Sequence, residues 1–136
     1  MMPRTLLICA LAALAGPTSS SAHHSFAADF IQEVITIEGV VREVWFKSPH
    51  VRYYVEVTNE NGEVELWDTR AGSTPNLIRS GWTRDSIQVG DQVTMTGNRG
   101  RDGRKLLNIG VVNMPDGKTL PPDASGGTPT NVAGVN

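Results

Sequence analysis

The chain has 136 residues, with 12 Lys and Arg against 14 Asp and Glu, for a net charge of −2. An acidic balance disfavours a general phosphate-binding protein and argues against nucleic acid as a partner. The single cysteine, Cys9, falls in an N-terminal stretch that reads as removable, so the chain beyond that stretch has no disulfide, thiol nucleophile or cysteine-based zinc site.

Arg4 precedes an apolar run over residues 6–15. That run suits the core of a signal peptide and is too short to cross a bilayer. Gly16 and Pro17 break it, and Ser20 and Ala22 put small residues where a cleavage site between Ala22 and His23 needs them. The expectation is an exported protein, periplasmic or secreted, with a signal peptide over residues 1–22 and no later membrane span. Beyond the signal, the expected parts are a lead-in over residues 23–33, one β domain over residues 34–114 and a tail over residues 115–136. The tail holds Pro121, Pro122, Gly126, Gly127 and Pro129 with few large apolar residues. Such a segment does not offset its own ordering entropy and is expected to be mobile.

Residues 34–46 are rich in β-branched side chains but change phase around Gly39, which predicts a long first strand bent by a bulge. Val51, Tyr53, Val55 and Val57 then alternate with Arg52, Tyr54, Glu56 and Thr58, the period of a half-buried strand. Asn61-Gly62 fits a two-residue type I′ turn, and Val64 and Leu66 alternate behind it as the inward set of a third strand. Ser73 or Thr74 caps a short helix with Pro75 in its first turn and Gly81 just past its end. Val93 and Met95 mark the inner face of a fourth strand, and Leu107, Ile109 and Val111 that of a fifth. A three-strand meander, a helix and a closing hairpin predict an all-β, five-stranded OB-like Greek-key barrel with its helix between strands three and four. An open sandwich and an SH3-like barrel are the alternatives, and the helix position favours the OB order.

Several strings in the chain resemble an uncharacterised family of exported bacterial proteins, domain-of-unknown-function 6152. They are His23-His24-Ser25-Phe26 after the signal, Trp45-Phe46-Lys47-Ser48-Pro49-His50, Gly81-Trp82-Thr83-Arg84-Asp85-Ser86 and Val89-Gly90-Asp91. The family carries Asn-Pro-His where this chain has Ser48-Pro49-His50. The resemblance implies a small periplasmic β-protein and no particular activity, so a site has to be argued from the residues.

Cleavage after Ala22 would make His23 the N-terminus. Its free amine and imidazole together chelate one ion in the planar nitrogen geometry of Cu(II) or Ni(II). His50, in the loop before the second strand, and His24 are the candidate further metal ligands, and Asp29 or Glu33 a candidate carboxylate. Cleavage after Ser21 would put a histidine third, which favours the same metals. Cu(I) is disfavoured, because soft-metal carriers need clustered sulfur and only Met95 and Met114 remain. The alternative is that the three histidines are ordinary polar residues of a terminus and a loop.

With a two-residue turn at Asn61-Gly62, Val57 lies opposite Leu66 inside and Glu56 opposite Trp67 outside. Arg52, Tyr54 and Trp67 then form an outer patch on the face that OB-folds use for ligands. Glu56 and Glu65 on that face favour a neutral glycan, a peptide or a partner protein over a polyanion. Alternatively, the lead-in around Phe26 and Phe30 covers Trp67. Arg99, Arg101, Arg104 and Lys105 around the last turn read as solvated, and Arg84-Asp85 as a local ion pair. No nucleophile elbow, phosphate loop or catalytic carboxylate pair is visible. The reading is therefore a binding protein, not an enzyme, with copper as the candidate cofactor; an oxidase-type histidine brace and a purely structural envelope component are the alternatives.

Overall fold

One long bent strand organises the fold. The structure, a computed structural model, describes residues 26–121. β1 (Phe30–Trp45) pairs antiparallel with two partners in succession: its first part, through Val40, with β4 (Gln92–Gly100), and its second part, from Val40 onward, with β2 (Arg52–Thr58). The change of partner is made possible by Gly39, where a built methyl group would overlap the Glu56 carbonyl oxygen. A register shift between Val41 and Glu43 comes directly after it. The bend predicted near Gly39 is thus real, with the bulge just beyond it.

β2 pairs with β3 (Val64–Arg70), α1 (Thr74–Arg79) comes next, and β4 pairs with β5 (Leu106–Asn113) after a 3-10 turn at Arg101–Gly103. β3 and β5 then pair in parallel at Asp68↔Leu106, Thr69↔Leu107 and Arg70↔Asn108. That last pairing brings the five strands round into a ring in the order β1, β2, β3, β5, β4. The fold is all-β and barrel-like, with the strand and helix order expected of an OB-like chain.

The helix is as short as expected. Ser73 is its N-cap residue without a side-chain cap bond, Pro75 sits in its first turn, and Gly81 leaves it at φ 90°. Leu77 is its one buried residue, and its carbonyl accepts from Trp82 N at 2.9 Å. Leu77 and Trp82 thereby join the buried core with Val41, Tyr53, Val55 and Met95.

The hairpin between β2 and β3 differs from the two-residue expectation. Asn59 N donates to Glu63 O and Gly62 N to Asn59 O, both at 2.9 Å, with Gly62 at φ 80°. This is a three-residue loop ending in a left-handed glycine. The Asn59 side-chain oxygen selects it by accepting from the amides of Asn61 and Glu63, each at 2.9 Å. The extra residue slips the register by one, and a one-residue slip exchanges the two faces of a strand. Val55 therefore faces Trp67, and Glu56 faces Leu66. Trp67 is buried at 7% exposure, whereas Val64 and Leu66 are exposed at 63% and 57%.

Two further differences are local. β5 changes phase where Thr96↔Val111 gives way to Gly97↔Ile109, so Val112 rather than Val111 completes the inward set. The start of the expected tail is ordered: Val112↔Leu120 and Asn113↔Thr119 form a small hairpin with β6 (Thr119–Leu120), and Leu120 is buried. One large apolar side chain among the tail's polar residues suffices to anchor its first turn. Residues 122–136 lie outside the described residues.

Candidate functional site

His50 stands exposed in the loop between β1 and β2, after a cis Ser48–Pro49 peptide. Val51 behind it is buried and exchanges backbone bonds with the segment after β3, Val51 N to Gly72 O at 3.0 Å and Ala71 N to Val51 O at 2.9 Å. The loop is therefore pinned at the residue next to the imidazole. His23 and His24 lie outside the described residues. Among the described residues no group of three His, Cys, Asp or Glu side chains is gathered around a common point.

The carboxylates considered as extra metal ligands have other partners. Asp29 receives Arg104 Nη1 and Arg70 Nη1, each at 2.9 Å, and Glu33 receives Arg99 at 3.3 Å. The Arg104 hydrogen bond holds the Asp29 carboxyl below its ordinary value against the opposing effect of burial, with help from the charge and hydrogen bond of Arg70. Arg101 adds bonds to the carbonyls of Ala27 and Phe30, and Arg104 to those of Ala28 and Asp29. Three of the four basic residues expected to face solvent thus bind the lead-in or the start of β1. The fourth, Lys105, meets Glu65 at 2.9 Å. A helical turn over residues 26–29 results, with Phe26 stacked 5.4 Å from buried Phe30.

On the outer face of β2, Arg52 and Tyr54 stand in one row as expected, but Trp67 is not beside them. The register slip turns its ring inward, where Lys105 lies 5.4 Å over it and its Nε1 donates to Glu65 at 3.2 Å. Another indole takes the place beside Tyr54. Trp45, 40% exposed, pairs with Arg52 across the strands and meets the Tyr54 ring edge-on at 6.4 Å. Lys47 lies 4.1 Å above the same indole, and Arg52 is tied to Asp68 at 3.5 Å.

A groove of about 680 Å³ opens next to this face, between the loop after β1 and the start and end of α1. Phe46, Ile78 and Trp82 give it apolar walls, and Lys47 and Arg84 stand along it. Arg84 lies 5.8 Å over the Phe46 ring and meets no carboxylate within 4 Å among the described residues, so the expected Arg84–Asp85 pair does not form. The ring face attracts the guanidinium electrostatically and takes the place of a neighbour on the same bend. The sequence contained both walls as separate strings, Trp45 to His50 and Gly81 to Ser86, but nothing in either announced that they meet.

The alignment of these strings with a family is direct. A family model described as "Family of unknown function (DUF6152)" matches residues 10–108. The chain belongs to this family. The match begins ahead of the described residues and takes in β1 to the start of β5 and both walls of the groove. No curated protein matches the chain. None of the helices among the described residues is long and apolar enough to cross a membrane.

Proposed function

We propose that this DUF6152 protein is an exported, periplasmic binding protein rather than an enzyme. It takes up Cu(II) through the His23 amine and imidazole, His50 and, as a further ligand, His24. The supporting observation is the way the lead-in is anchored. Asp29 is bound to Arg70, Arg70 is the cross-strand partner of Arg52, and His50 lies two positions before Arg52. That path, followed along the strands, measures roughly 20 Å, while the chain from His23 to Asp29, extended as far as Phe26 and helical from there, spans up to about 15 Å before the two imidazole side chains add their own reach. The exposed His50 imidazole is thus a candidate partner for a terminus that leaves the anchored turn at Phe26, and nitrogen donors with an open rim suit Cu(II).

The test begins with the N-terminal sequence of the exported protein, expected to start at His23. Copper is then titrated into that form, into one carrying an extra N-terminal residue, and into His50→Ala. Tight one-to-one binding lost in both altered forms is the expected result. Equal weak binding by all three would overturn the copper reading.

A second reading rests on the Trp45, Tyr54 and Arg52 row. An exposed indole against a tyrosine edge suits a neutral glycan, a peptide or an envelope partner, with no metal involved. Loss of that binding in Trp45→Ala with copper uptake unchanged would favour it.

A further inference from the structure

Lys47 and Arg84 are set apart from most of the protein's other cations. Arg42, Arg52, Arg70, Arg99, Arg104 and Lys105 each meet a carboxylate among the described residues. Lys47 and Arg84 meet no carboxylate among the described residues; like Arg70 and Lys105 they rest over aromatic rings, at 4.1 Å from Trp45 and 5.8 Å from Phe46. A ring face steadies a cation without neutralising it. Both line the groove, and no lining residue is acidic, in a chain whose acidic residues outnumber its basic ones.

The remaining surface of the groove defines the rest of a ligand. Ile78, 59% exposed, offers apolar contact, backed by the buried rings of Phe46 and Trp82 at the floor of the groove. Ser48 Oγ and Thr74 Oγ1 hydrogen-bond each other at 2.9 Å. Two hydroxyls share two hydrogens and use one between them, which leaves one to donate outward. The volume falls in the range of small-molecule sites.

We infer that the groove between the β1–β2 loop and α1 binds an organic carboxylate with an apolar body. The carboxylate would sit between Lys47 and Arg84 and receive the Ser48–Thr74 hydroxyl, while the body lies along Ile78. Two cations beside apolar walls match one negative charge on a greasy molecule. A polyanion such as nucleic acid would need a longer basic track than this surface has. The inference uses none of the three histidines and stands apart from the copper reading.

The probe is decanoate, kept below its micelle concentration and titrated into the 15N-labelled protein. Decyltrimethylammonium serves as the cation of equal tail and inorganic phosphate as the anion without one. Saturable shifts confined to the amides of Lys47, Ser48, Ile78, Trp82 and Arg84 are expected with decanoate alone. Lys47→Gln and Arg84→Gln should each weaken binding about threefold, and together about tenfold, as for exposed charge pairs. Both side chains are exposed, so the amide spectrum of the ring should be unchanged and folding is checked in the same data. The inference is overturned if decanoate gives no saturable shift, if the double variant binds equally well, or if either control reproduces the pattern.

Discussion

Truncating Trp67 and its neighbour Leu66, one at a time, tests which face of β3 is the inner one. At 7% exposure the Trp67 indole is almost wholly removed from solvent. An aromatic side chain of this size takes roughly 200 Å² out of water, about 5 kcal/mol at about 25 cal/mol per Å². Trp67→Ala should therefore destabilise the protein by about 3–5 kcal/mol, with loss of the bond to Glu65 included. Leu66, 57% exposed, has little to lose, and Leu66→Ala should cost about 0.5 kcal/mol. Urea unfolding followed by circular dichroism measures both. Since a domain of this kind has about 5–15 kcal/mol in total, Trp67→Phe is the milder companion, expected to lose about 1–3 kcal/mol. A two-residue turn would place Leu66 in the core opposite Val57 and Trp67 in solvent. Leu66→Ala proving more damaging than Trp67→Ala would refute the three-residue loop and the register built on it.

Other outcomes rest on the packing and charges. Gly39→Ala and Gly97→Ala drive a methyl into the carbonyl oxygens of Glu56 and Asn108, so each should lower stability by about 1–3 kcal/mol, read as a drop in Tm. Arg104→Ala should release the lead-in, seen as faster amide exchange at residues 27–31 while the ring stays protected. Because the Asp29 carboxyl titrates below its ordinary value of 3.8, its contribution is complete above that pH and disappears as pH falls through its lowered folded value. The same exchange at residues 27–31, followed down the pH scale, should show the loss. Burial pushes the Tyr53 hydroxyl well above its usual value, and that hydroxyl has no hydrogen-bond partner among the described residues. Tyr53→Phe should therefore leave stability unchanged or raise it by about 1 kcal/mol. The wild-type protein should lose stability as pH rises past about 10, where the unfolded tyrosine ionises, by a component that the variant lacks.

The elements and their order were legible because each rests on local pattern. The alternation of Val51, Tyr53, Val55 and Val57 fixes β2, Pro75 and Gly81 bracket α1, and Gly39 marks the bend. The inner face of β3 was not legible from Asn61-Gly62 alone. The loop length was decided by Asn59, whose side chain holds two amides across the turn. An asparagine just ahead of an Asn-Gly pair was the available signal. Of the candidate site, Arg52 and Tyr54 share the predicted row, whereas Trp45 joins them only because β1 bends. The groove could not be read at all, since its two walls meet through contacts between distant segments, Val51 with Ala71 and Gly72 and Ser48 with Thr74. The role of Arg101 and Arg104 was hidden for the same reason: a basic turn looks solvated until the segment it grips is placed beside it.

The divided pairing of β1 also decides what shorter pieces of this protein can do. Phe30 meets Gly100 and Ile37 meets Met95, so the first half of β1 gains a neighbour only after almost all of the ring has been made. A fragment that stops before β4 would hold a β1–β2–β3 meander with one long row of unpaired amides and carbonyls. Such a row invites a strand from another molecule. The intact chain satisfies it from within, and proteolytic trimming at the C-terminal side should turn a closed ring into a self-associating edge.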